Sequence, residues 1–264
     1  MEVRDARVLL TGASGGIGPT IARGLAQRGA RLVLSGRRVD ALEALAAELG
    51  AAEVLPADLA DRAGPGTLAR DAGAVDVFVS NAALPADGQV DDYTPDQIDR
   101  ALDVNLRAPI FLARALTPAM VQRGRGSVVL VASIGAIATT PGSALYSATK
   151  FGLRGFGLAL RQDLHGTGVG VTVVHPSFID EAGMFAESGV KLPPGAPTRS
   201  PRDVADAVVR AIERGPAEIM VAPILLRLGT HLAGIAPAPV AAVSRVMGSY
   251  KIQAQLAEAH RAKR

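Results

Sequence analysis

Tyr146 and Lys150 stand four residues apart, the spacing that puts two side chains on one face of a helix. A phenol titrating near ~10 exchanges protons poorly at neutral pH. A nearby ammonium favours the phenolate, and lowering the pKa by ~3 units needs ~4 kcal/mol of differential interaction. Such a pair can pass a proton to or from a substrate oxygen. A hydroxyl such as that of Ser133 can hold the oxygen and stabilise its developing charge. Tyr-x-x-x-Lys alone occurs on many helices by chance, so the pair gains its weight from its surroundings.

Those surroundings are ordered. Arg37, Asp58, Asn81, Ser133 and Pro176-Ser177 each follow a short apolar run, the second to the sixth such run in the chain. The runs are 7–10, 31–34, 53–55, 75–79, 127–131, 169–174 and 218–221. Between them lie stretches with helical spacing at 19–28, 40–49, 95–121, 144–164 and 201–214. Strand–helix alternation of this kind predicts a parallel sheet with helices on both faces. Right-handed crossovers then favour the doubly wound topology. The expected fold is α/β, three layers around a seven-stranded parallel sheet, in one domain over 1–264. The polar residues all fall at carboxyl ends of strands, the edge along which open α/β sheets bind ligands.

Helix ends are marked as well. Thr94-Pro95-Asp96-Gln97 offers a cap, a proline at the first helical position and a glutamine closing a capping box. Ser200-Pro201 opens a later helix and Gly215 closes it. The first strand runs into Thr11-Gly12-Ala13-Ser14-Gly15-Gly16-Ile17-Gly18, then a helix. Glycines there allow a tight turn and close backbone approach to a pyrophosphate, with the helix N-terminus supplying N–H donors.

Taken together, the Thr11–Gly18 turn, Asp58-Leu59, Asn81-Ala82-Ala83, Asn105, Ser133 and Tyr146-Ser147-Ala148-Thr149-Lys150 make the chain resemble the short-chain dehydrogenase/reductase family, over roughly residues 5–225. The resemblance implies a Rossmann-type fold and a catalytic tetrad of Asn105, Ser133, Tyr146 and Lys150. It implies hydride transfer between NADP(H) and an alcohol/carbonyl pair, with Tyr146 giving a proton to the carbonyl oxygen in reduction. Expected cofactor contacts are Gly12, Ser14, Gly15, Gly16, Ile17, Gly18, Arg37, Asp58, Leu59, Asn81, Ala82, Ala83, Pro176, Ser177 and Ile179, beside Tyr146 and Lys150. In the family the Asn105 carbonyl holds a water that relays protons to the lysine. Pro109, four residues on, has no N–H for that carbonyl, so a local kink is expected there.

Cofactor choice is read from Leu34-Ser35-Gly36-Arg37-Arg38. No carboxylate stands there to repel a 2′-phosphate, and Arg37 can pair with one bidentately. NADP(H) is therefore expected ahead of NAD(H). The bland alternative is two arginines that only solvate a loop, leaving both cofactors acceptable. The chain departs from the family at Ser177, where glycine is common, at Glu181, where threonine is common, and at Ala83 in place of glycine. His175 is expected to pack beside the sheet edge and His165 to sit at a helix end, neither as a base.

Composition excludes other classes. There is no cysteine, and the four histidines lack metal-ligand spacing, so no metal site is expected. Aromatic residues are 3% with no tryptophan, and the net charge is +3 without a basic stripe, which argues against nucleic acid. No secretory signal pattern is visible, so a cytoplasmic location is expected.

The loop 181–200, rich in Gly and Pro, has the length of a lid. The apolar C-terminal extension 223–264 is interrupted by Arg227, His231, Pro237, Pro239 and Arg245 and is not read as a membrane span. It is expected over the substrate pocket or against another subunit, with peripheral membrane contact ranked below these. Ile134, Ile137, Leu145, Phe178, Met184 and Phe185 suggest an apolar or acyl-like substrate. A homodimer or homotetramer through helices 95–121 and 144–164 is implied by the family. Two other readings stay open here: a non-catalytic NADP(H) sensor and a membrane-associated relative of these enzymes.

Overall fold

A computed structural model describes residues 1–50, 52–192, 197–246 and 249–261. Residues 193–196 of the expected lid, and 247–248 and 262–264 of the C-terminal extension, lie outside the described residues. The described residues form seven parallel strands in the order β3-β2-β1-β4-β5-β6-β7. These are β1 (Arg7–Thr11), β2 (Arg31–Ser35), β3 (Glu53–Val54), β4 (Val77–Ser80), β5 (Gly126–Val131), β6 (Val169–Pro176) and β7 (Glu218–Val221). The strand order reverses between β1 and β4, which opens a crevice at the carboxyl edge.

Burial on both faces explains the continuous apolar runs of the central strands. Successive side chains alternate between two cores. Val8 and Leu10 of β1 face one, Leu9 the other. The first is closed by α1 (Gly18–Ala26), α2 (Val39–Leu49) and α8 (Pro201–Arg214), through Ile21, Leu42 and Val208. The second is closed by α3 (Gly64–Ala72), α5 (Ala108–Gln122) and α6 (Ala144–Asp163), through Leu68, Leu112 and Leu153.

The stretch expected as one helix over 95–121 is broken. After α4 (Pro95–Leu102), residues Asp103–Arg107 form a wider turn in which the Ala108 N–H donates to the Asp103 carbonyl, five residues back. Pro109 lacks the N–H that a regular helix would direct at Asn105, so the kink expected there is present. The capping boxes at Thr94 and Ser200 and the left-handed Gly215 are also in place.

Two segments carry regular structure that the sequence reading did not specify. Within 181–200, α7 (Met184–Ser188) forms. Its base is fastened, since the Asp180 N–H donates to the Arg199 carbonyl and the Arg199 N–H to the Phe178 carbonyl. The C-terminal extension is helical, as α9 (Ile224–Ile235), α10 (Pro237–Val246) and α11 (Ser249–His260). Among the described residues no helix is long and apolar enough to cross a membrane.

Candidate active site

The end of β5 and the first turns of α6 bring Ser133, Tyr146 and Lys150 together. Lys150 is buried, and its Nζ donates to the Val131 carbonyl at the end of β5 (3.2 Å) while lying 5.8 Å from the Tyr146 ring centre. The Ser133 hydroxyl hydrogen-bonds to Tyr146 and accepts from the Gly135 N–H. The helical spacing therefore does put Tyr146 and Lys150 on one side of α6, facing the end of β5 and Ser133 just beyond it.

Asn105 is 1% exposed and spends its side chain on the backbone. Its Oδ1 accepts from the Leu84 N–H (2.7 Å) and its Nδ2 donates to the Leu84 carbonyl (2.9 Å). The loop after β4 is thus fixed to the kinked helix. Asn81 does the same for the glycine turn: its Nδ2 donates to the Thr11 and Gly12 carbonyls, and the Thr11 hydroxyl accepts from the Asn81 and Ala82 N–H groups. Ala82 also packs where a side chain on Gly12 would be, since a β-carbon there would lie 2.7 Å from the Ala82 Cα. Gly18 is tighter still, with the Gly12 carbonyl oxygen 2.1 Å from a β-carbon position.

The cofactor-binding candidates divide by exposure. Gly12, Ser14, Gly15, Gly16, Ile17 and Gly18 form the turn into α1, whose N-terminus has no side-chain cap. The Gly18 N–H donates to the Gly15 carbonyl and Pro19 has none, so the backbone of the turn and the helix dipole, more than the first helical N–H groups, would meet an anion there. Arg37 and Asp58 are exposed at the ends of β2 and β3, and Asp58 Oδ1 accepts from the Ala60 N–H. Leu59 is buried beneath them. At the far end, Pro176 closes β6, Ile179 is buried, and the Ser177 Oγ is buried with no hydrogen-bond partner among the described residues. An orphaned hydroxyl at this edge, a glycine cradle and a basic β2 end together fit a phosphorylated dinucleotide such as NADP(H).

Sequence reasoning missed several contacts. Arg38 crosses the glycine turn and donates to the Ser14 carbonyl, so the second arginine of the pair does more than solvate a loop. His175 is fully buried, with Nδ1 3.0 Å from the Ser133 carbonyl and Nε2 2.8 Å from Glu218 Oε1. Glu218 also accepts twice from Arg154, one turn beyond Lys150 on α6. His175 and Arg154 hold the Glu218 carboxyl well below its usual range, at about 2. From the C-terminal extension, His260 Nδ1 meets Asp87 Oδ2 (3.0 Å) and Nε2 meets the Met184 carbonyl (2.9 Å). Helix α11 therefore packs on the loop after β4 and on α7. The only signal for these contacts was the presence of charged residues in apolar segments.

Burial dominates the electrostatics of the Tyr146–Lys150 pair. Tyr146 keeps part of its surface open, yet burial of its phenol pushes the pKa up to about 12, against the lowering by the Ser133 hydrogen bond and with a further rise from Asp87. Burial lowers Lys150 to about 8. Lys150 does not by itself acidify the phenol, because desolvation penalises both charged forms. Among the described residues no group of three His, Cys, Asp or Glu is placed to hold a metal ion.

Known proteins share this architecture. The family model described as short chain dehydrogenase matches residues 6–192. The ketoacyl reductase HetN of a Nostoc species is 36% identical over 81% of this chain and 77% of its own length. Dehydrogenase/reductase SDR family member 7B of Bos taurus is 33% identical over 89% of this chain and 79% of its own. A solved metagenomic short-chain oxidoreductase in complex with NADP is 31% identical, with a TM-score of 0.70 over 84% of this chain and 97% of that one. With a matching sheet, a matching edge and matching motifs, the chain belongs to the short-chain dehydrogenase/reductase family and is an oxidoreductase.

Proposed function

We propose that this protein reduces a carbonyl compound, or oxidises the matching alcohol, with NADP(H) as preferred partner and NAD(H) as a poorer one. The observation that carries the reading is the joined set of Ser133, Tyr146 and Lys150 beside the glycine turn. Bound NADPH would supply the hydride, and its oxidised ring a positive charge that favours the phenolate in the reverse direction. Ser133 holds the substrate oxygen. Tyr146 keeps its proton at neutral pH and releases it once that oxygen becomes an alkoxide, a far stronger base than a phenolate. Lys150 holds charge beneath the phenol, and the kink at Asn105 frees a carbonyl for a relay to Lys150.

Arg37 supports the choice of NADP(H), with Arg38 beside it. A substrate of apolar or acyl-like class is supported by Leu145, Ile137 and the edge-to-face pair Phe178–Phe185, whose ring centres are 5.0 Å apart. A homodimer or homotetramer is supported by the exposed Phe111 on α5 and Phe151 on α6. A cytoplasmic location belongs to the same proposal. The test is a screen of ketones, aldehydes and oxoacyl thioesters that follows NADPH absorbance. Turnover of an apolar carbonyl by NADPH ahead of NADH bears the reading out. Tight NADPH binding with no oxidation by any carbonyl would favour a sensor instead.

A further inference from the structure

Helix α9 is built the wrong way round for a soluble surface helix. Its fully buried residues are small: Thr230 and Ala233 are buried, and a β-carbon at Gly234 would touch Ile137 at 3.5 Å, with Leu226 half-buried on the same side. Its other large apolar residues point outward. Ile224, Leu225, Leu228, Leu232 and Ile235 are between 57% and 85% exposed. At 3.6 residues per turn these five fall within a stripe about 100° wide. The buried pair lies on the opposite side of the cylinder. Arg227 and His231 are exposed along one flank of the stripe. Soluble monomers rarely expose contiguous apolar patches of this kind without a binding role.

Charge separates in the same way. Residues 223–264 hold six Lys and Arg (Arg227, Arg245, Lys251, Arg261, Lys263 and Arg264) against the single Glu258. The preceding 222 residues hold 22 basic against 24 acidic. The whole positive excess of the chain is thus confined to the segment that carries the apolar stripe. A second copy of the chain would have to bring this positive charge against itself. An anionic bilayer complements both features, taking leucine and isoleucine side chains below its headgroups and Arg227, on the flank of the stripe, at their level.

We propose that α9 docks this protein on the surface of an anionic lipid bilayer, lying in the interface plane and not crossing it. The contact would put α9 between the membrane and Ile137, four residues beyond Ser133. The inference rests on exposure and charge and does not depend on which carbonyl the enzyme takes.

Flotation of the intact protein with vesicles tests it, using phosphatidylcholine alone or with one-third phosphatidylglycerol. The protein is expected to float with the anionic vesicles, and less so at high salt. The double variant Leu225→Glu/Leu228→Glu should lose vesicle binding at least tenfold while its NADPH affinity and circular dichroism stay unchanged. Two results would overturn the proposal. One is no flotation with either vesicle at low salt. The other is a protein oligomer that the double variant splits, which would make the stripe an interface between copies.

Discussion

The two halves of the carboxyl edge are held very differently. At the β4-β5-β6 end, Asn105, Lys150 and His175 are at most 2% exposed, and each is bonded to a backbone carbonyl or amide. At the β2-β3 end, Arg37 and Asp58 stand exposed on short strand termini. Chemistry needs atoms held to within fractions of an ångström, so its residues are locked before any ligand arrives. Cofactor choice needs only a charge within reach of a phosphate. The difference implies that the first end resists substitution and the second can be retuned.

The largest expected effect is at Tyr146. Tyr146→Phe should lower NADPH-dependent turnover by about 10³-fold or more, in the upper part of the range for general acid catalysis, and leave NADPH binding intact. Absorbance at saturating substrate and a fluorescence titration measure the two; residual turnover near the native rate would end the acid assignment. Next comes Asn105→Ala, which strips partners from both backbone groups of Leu84. A loss of roughly 2–4 kcal/mol of stability is expected by denaturant unfolding, together with reduced turnover. A change below the error of the measurement would show that the locked half is not locked by this residue.

A smaller effect is expected at the exposed end. Arg37→Ala should raise KM for NADPH by about 10–100-fold, the loss of a charge-assisted contact, with little change for NADH and no change in melting temperature. An equal loss with both cofactors would break the contrast between the halves.

The smallest effect is a shift with pH. Glu218 titrates lower in the folded protein than unfolded, so its contribution to stability is complete above about pH 4.5 and is lost as pH falls towards about 2. Glu218→Gln should flatten the fall in melting temperature across that acid range. Lys150 has the opposite charge but the same course, in a higher window: depressed to about 8 from 10.5, it is protonated more in the unfolded chain between those values, so stability rises with pH there too. Lys150→Met should remove that rise.

Much of this was legible because the features concerned are local. A strand buried on both faces must be apolar throughout, so β1 and β2 could be read within a residue. The wide turn at 103–107 followed from one missing N–H at Pro109. The proximity of Tyr146 and Lys150 was legible because four residues make about one helical turn, and that of Ser133 because it follows β5. Helix α3 escaped notice, since Gly64, Pro65 and Gly66 look like a loop and the helix survives only through Leu68 and Ala72 packed on the sheet. Helix α7 escaped for a similar reason, sitting between Gly183 and Gly189.

By itself the sequence determined the order of strands and helices, the glycine turn, and which residues stand at the carboxyl edge, because periodicity and backbone chemistry act over a few residues. Only the tertiary structure decided that His260 reaches Asp87 across 173 positions, that His175 and Glu218 brace the Ser133 backbone, and that α9 turns its leucines outward. An apolar periodicity says that a helix has a greasy side. Which way that side faces depends on what the rest of the chain has already covered.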